Sequence, residues 1–289
     1  MSRSRSDRIL RTCLGFLAFL SGSVVLLIAV FLVAGAMPAL RDGVLPRLFL
    51  DEHWQPGSER DPQYALLPML AASILVTALS ILIAAPLGIA GAVFHQFYLP
   101  HRLAVWNERA LELLAGVPSV VFGLWGLTVL VPMINRLHPP GQSLLAAGIV
   151  LALMILPTVA LTSQSALRAV PQTQHLAAAG LGLGRVATVW HIALPAARRG
   201  ILGGVLLAIA RAVGETMAVV MVCGNIAKFP QSIFDPVRPV TATIALEMGY
   251  ATSSHKALLF TAGLVLVLLT AALVGWLAFR KGNDEPAVN

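Results

Sequence analysis

The chain has 289 residues and a formal net charge of +7, yet only 11% of its residues are charged and 57% are hydrophobic, with a mean hydropathy of +0.82. A soluble domain carries about 25% charged residues, so a soluble enzyme or binding module is excluded and an integral membrane protein is indicated. The basic residues stand at the ends of apolar segments and do not cluster with aromatics, which excludes a nucleic-acid surface and marks them as topology anchors.

Five stretches lack Asp, Glu, Lys and Arg altogether: 12–40, 62–101, 113–135, 137–167 and 257–279. A sixth, 200–227, is interrupted only by Arg211 and Glu215. Each exceeds the roughly 20 residues needed to cross a hydrocarbon core. They predict transmembrane helices over 14–37, 67–94, 112–134, 144–167, 200–225 and 256–279, inside a membrane domain of 12–280 with tails at 1–11 and 281–289. Twelve basic residues fall on one side: Arg3, Arg5, Arg8, Arg11, Arg102, Arg109, Arg168, Arg185, Arg198, Arg199, Arg280 and Lys281. Seven fall on the other: Arg41, Arg47, Arg60, Arg136, Lys228, Arg238 and Lys256. The positive-inside rule then puts both termini and the loop 168–199 in the cytoplasm. The fold class is an all-α, six-span membrane protein.

The first apolar run is much longer than the core of a secretory signal, and it is expected to stay as an anchor although Ala34-Gly35-Ala36 resembles a cleavage site. Span two contains Pro86 and Gly88, which predict a kink. Span three opens at Glu112 and carries Gly116, Pro118, Gly123 and Gly126, small or kink-prone residues suited either to plain helix packing or to close approach around a pathway. Thr241 to Gly249 is too short to span and reads as a re-entrant or interfacial helix at the outer mouth. Cys13 and Cys223 lie in apolar runs and suggest no disulfide.

Two segments carry the functional signal. In the cytoplasmic loop, Gly180, Gly182 and Gly184 alternate, but no lysine stands where a phosphate-cradling loop requires one, so this chain does not bind ATP by that device. No hydrolase elbow and no metal-ligand spacing is present, so neither catalysis nor a cofactor is expected. In the fifth apolar run, Arg211 and Glu215 are four residues apart, and on a continuous helix they would stack on one face. A charge at mid-bilayer costs about 2.5–3.5 kcal/mol on insertion scales, so such residues turn to a bundle interior or a wet cavity. The two form either a structural ion pair or a cation with its positioning carboxylate on an anion pathway, beside Gly214 and Thr216.

The run Leu176-Ala177-Ala178-Ala179-Gly180-Leu181-Gly182, followed after nine residues by Ile192-Ala193-Leu194-Pro195, resembles the cytoplasmic loop of ABC-importer permeases, whose form is E-A-A-x3-G-x9-I-x-L-P. Ala177, Ala178, Gly182, Ile192, Leu194 and Pro195 fall on that pattern. Arg211 to Val219, R-A-V-G-E-T-M-A-V, together with G-V-P-S-V-V-F-G-L-W-G-L in span three, is similar to the PstC-type permeases of phosphate-specific ABC transporters. The resemblance implies a type I importer permease fold (MetI-like) in the inner membrane of a bacterium. It also implies a homologous permease as partner, two ATP-binding subunits docked on Leu176 to Gly184, and an extracytoplasmic phosphate-binding protein. Arg211, Glu215 and Thr216 would line the substrate pathway. Leu176 stands where the family has Glu, so the polar part of the ATPase contact is altered, and Arg168, Arg185, Arg198 and Arg199 are the candidates to compensate. Permeation of another oxyanion, such as phosphite or sulfate, the PstA-type sister role, a secondary transporter and a non-transporting sensor are the rival readings.

Overall fold

The computed structural model describes residues 2–58 and 62–283, so the expected tail lies outside the described residues from position 284 on, as does Arg60. Among the described residues, six helical stretches are long and apolar enough to cross a membrane: Leu10–Arg41, Leu67–Phe97, Ser119–Leu137, Leu144–Arg168, Arg185–Val213 and Ser253–Trp276. Four of the six expected spans fall on these within a few residues. The third and fifth are displaced: a proline moves the start of the third, and a π turn before a proline together with a break at Gly214 moves the fifth.

The chain opens with α1 (Ser2–Arg41), followed in the first outer loop by α2 (Leu45–Leu50) and a minimal antiparallel pair of β1 (Trp54–Gln55) with β2 (Gln63–Tyr64). Next come α3 (Leu67–Phe97), which continues through Pro86 as one helix, and α4 (His101–Gly116) on the cytoplasmic side. The third span was expected to open at Glu112. Glu112 instead belongs to α4, because the residue before a proline is driven to extended backbone. Val117 accordingly adopts φ −66°, ψ 129°, and Pro118 caps the new helix α5 (Ser119–Trp125).

From α5 the span passes through a π turn (Gly126–Leu130) into α6 (Val131–Leu137). The fifth span repeats the device: α9 (after α7, Leu144–Arg168, and α8, Gln172–Gly180) covers Arg185–Thr188, a π turn follows at Val189–Ala193, and α10 runs Leu194–Val213. In each case a proline, Pro132 or Pro195, stands two residues beyond the π turn. A proline lacks the N–H and its ring collides with the carbonyl four residues back; a widened turn just before it lets the helix run on. The Ile192-to-Pro195 motif expected in the loop therefore lies inside the helix of the fifth span. That span covers 185–213, not 200–225.

The remaining elements are α11 (Met217–Val222), α12 (Val240–Glu247) and α13 (Ser253–Asn283). The core is the seam between α3 and α7, the most extensive helix pair. Ala72, Val76 and Ala84 of α3 join Ala147, Leu151, Ile155 and Val159 of α7 in one buried cluster. Ser143 caps α7 by accepting the Ala146 N–H at 3.2 Å. Gly88 sets the closeness of the seam, since a β-carbon there would meet Val159 at 2.9 Å. Gly123 is likewise pressed on Ala218 of α11, and Gly126 on Val150 of α7, so these two glycines serve packing. On the other side, α1 leans on α13, with Phe31 edge-on to Phe260 at 5.3 Å.

Candidate functional site

The fifth span ends at Val213, and the expected stack of Arg211 on Glu215 does not form. Gly214 closes α10, Glu215 and Thr216 leave the helical path, and α11 restarts at Met217. The break is held from several sides. The Glu215 N–H donates to Ala212 O at 3.2 Å, the Thr216 hydroxyl donates to Gly214 O at 3.4 Å, and the Thr241 hydroxyl of α12 donates to Glu215 O at 2.8 Å. The Glu215 carboxylate turns forward and accepts the Ala218 N–H at 3.3 Å, capping α11. Arg211 sits exposed in the last turn of α10, and among the described residues it forms no ion pair. Each charge is thus stabilised by a helix end of the opposite sign, with no need of the other, a contribution of about 0.3–1 kcal/mol apiece.

The cytoplasmic motif forms α8 and its exit. Ala178 is fully buried, whereas Leu176 (64% exposed), Ala177 and Leu181 (79% exposed) present an apolar face outward. The helix stops by a paired bond pattern: Gly182 N–H donates to Ala179 O at 3.0 Å and Leu183 N–H to Ala178 O at 3.0 Å. That closure requires left-handed backbone after the cap, and Gly182 supplies it with φ +71°. Ile192 and Leu194 are half-buried and Pro195 exposed, on the π turn and the start of α10.

Two of the four arginines proposed to replace the missing Glu are engaged elsewhere. Arg168 grips Glu108 of α4 with both terminal nitrogens at 2.8 Å, and Arg185 lies over the Tyr98 ring at 5.8 Å. The Arg168 hydrogen bonds hold the Glu108 carboxyl below the usual carboxylate range.

A second polar centre lies on the outer side. Glu247, 5% exposed at the end of α12, accepts from Trp54 Nε1 at 3.0 and 3.1 Å, from Arg238 at 2.7 Å and from His255 Nε2 at 2.8 Å. These donors come from the first outer loop, the segment before α12 and the start of α13. The sequence does carry a signal for it: Glu247 is the lone charge in an otherwise apolar segment, T-A-T-I-A-L-E-M-G.

Comparison with known proteins identifies the family. Residues 84–280 match the family described as binding-protein-dependent transport system inner membrane component. The probable ABC transporter permease protein YqgH of Bacillus subtilis is 41% identical over 267 residues, covering 88% of this chain and 85% of that relative. The phosphate transport system permease protein PstC of Mesorhizobium japonicum is 34% identical over 265 residues, covering 84% of this chain and 80% of that relative. Among solved structures, an inward-facing MetNI methionine ABC transporter superposes with a TM-score of 0.53 at 17% identity, over 75% of this chain and 91% of that one, which bears on the fold alone. The chain belongs to the family of binding-protein-dependent transport system inner membrane components: it is a multi-pass permease subunit of an ABC importer, working with an ATPase and a substrate-binding protein, and is not itself an enzyme.

Proposed function

We propose that this chain is the PstC-type permease of an importer that moves inorganic phosphate into the cytoplasm. The observation that carries the reading is Arg211: a guanidinium with no carboxylate partner among the described residues, exposed at a helix break in an apolar stretch. A charge turned to lipid is costly, so such residues face a bundle interior or a wet cavity. A water-filled path between this chain and a homologous permease removes that cost and offers the fork of donors suited to a phosphate oxygen pair. Glu215 and Thr216 serve the path by holding the break open. Glu215, committed to capping α11, is not paired with Arg211, which leaves the guanidinium available to an anion.

In the complete transporter the partner is a sister permease of PstA type. Two ATP-binding subunits receive the apolar face of Leu176, Ala177 and Leu181, and an extracytoplasmic phosphate-binding protein loads the outer side. The PstC proteins at 31–34% identity, named for phosphate transport, support the choice of substrate. Leu176 in place of Glu makes the contact with the ATPase one of shape and apolar area.

The test is uptake of radiolabelled phosphate by the reconstituted complex, with unlabelled phosphite and sulfate as competitors. Phosphate alone should compete effectively, and Arg211→Lys should lose much of the flux, because an ammonium cannot reproduce a two-point contact. Preferential competition by sulfate or phosphite would overturn the substrate assignment, and full flux in Arg211→Met would overturn the role of the arginine.

A further inference from the structure

The inner end of α3 is tied to the end of α7, to α8 and to α9. His95, 5% exposed, accepts from the Arg168 guanidinium through Nε2 at 3.1 Å, and its Nδ1 meets Asn107 Oδ1 of α4 at 3.1 Å. A guanidinium only donates, so Nε2 is the acceptor in this contact. Phe97 packs on His175 of α8 with ring centroids 5.9 Å apart, and Tyr98 lies under Arg185 of α9. Beneath these contacts, Ala92, Val93 and Phe97 share one apolar cluster with Leu167 and Val170 at the root of α8 and with Ala193 and Ala197 beyond its exit.

The outer end of the same helix is tied to the break. Ser73 Oγ accepts the Val240 N–H at 3.0 Å, which fixes the first residue of α12. The next residue, Thr241, donates to Glu215 O. Met69 and Leu70 of α3 are buried with Val213, the last residue of α10, and with Val240. Ser73 and His95 are 22 residues apart on one unbroken helix, about 33 Å at 1.5 Å per residue.

We propose that α3 is the member that carries movement of the coupling helix to the Gly214–Thr216 break, gripping α8 and its flanks through His95, Phe97 and Tyr98 and gripping the break through Ser73 and α12. The proposal rests on the reading of α8 as the ATPase-docking helix. A helix is stiff along its axis and its packed neighbours shift in discrete steps, so a rod held at both ends transmits displacement that a flexible loop would absorb. Arg168 and Glu108 act here as positioning residues. Their pair is partly exposed and adds little to the stability of the bundle, so its loss changes transmission without unfolding the protein.

The test uses the whole transporter in nanodiscs, with Cys13→Ser and Cys223→Ala as background and Gly214→Cys as a thiol reporter at the break. ATP should change the maleimide labelling rate of the reporter by about fivefold or more, the size ordinary for coupled sites. Adding Arg168→Gln at the inner grip, or Ser73→Ala at the outer one, should leave ATP hydrolysis near its starting rate and abolish most of that labelling response. A response that persists in both variants overturns the role of α3 and leaves the coupling reading standing. A parallel fall of hydrolysis and response in both variants means a merely structural role, and also overturns it. No ATP response in the background protein overturns the proposal and the coupling reading together.

Discussion

The helix break makes a quantitative statement about Arg211 and Glu215 that a four-residue spacing on a continuous helix would reverse. In the structure each charge is stabilised separately. Replacing Glu215 with Ala removes a cap on the Ala218 N–H, which costs about 0.5–2 kcal/mol. Replacing Arg211 with Met removes a cation from a helix C-terminal turn, about 0.3–1 kcal/mol. The double variant should then cost the sum of the two, with a coupling energy below about 0.5 kcal/mol. A buried ion pair behaves otherwise: each single variant would cost about 3–5 kcal/mol, and removing both charges would recover most of the loss. Equilibrium unfolding of the four proteins in mixed micelles distinguishes the cases. A double variant more stable than either single one would refute the separation of the charges. The same four proteins assayed for phosphate uptake should show Arg211→Met inactive with or without Glu215.

Two further perturbations follow from local geometry. Gly182→Val should weaken ATPase docking and uptake, because left-handed backbone costs an L-residue about 1–2 kcal/mol and more when β-branched, while no neighbouring atom lies within 4 Å to add a clash; Gly182→Asn, which tolerates that backbone, should retain most of the docking, and equal loss in both would refute the conformational account. Glu247→Ala should destabilise the protein by about 3–5 kcal/mol by leaving Arg238 largely buried without its partner; thermal unfolding measures it, and a wild-type midpoint would contradict the arrangement.

The membrane domain was legible because its signal is local: a run without charges is long enough or it is not. The same holds for α8, where Ala177, Ala178 and Gly182 stand at fixed intervals and Gly182 does mark the end of the helix. What could not be read depended on partners distant in sequence. Gly214 permits a helix end without requiring one; part of what holds the break is Thr241, 26 residues beyond Glu215. Arg168 read as a spare cation because Glu108, which occupies it, is 60 residues earlier. The prolines show the limit plainly. Pro118 ends a helix, Pro195 follows a widened turn and Pro86 is carried through α3 without one, a difference that the residue itself does not specify.

The carboxylate at Glu247 also bears on the order in which the protein is made. Its contact with Trp54 joins residues 193 positions apart, so it cannot form until the last outer segment has crossed the membrane. Closing so long a loop is entropically costly and slow, and only contacts already in place can offset it. The α3–α7 seam, by contrast, is complete once the fourth span has been synthesised. The Glu247 contacts on the outer face cannot close until α12 and α13 arrive. In that interval the indole of Trp54 is without its acceptor, which makes its fluorescence a reporter of the final closing step during synthesis.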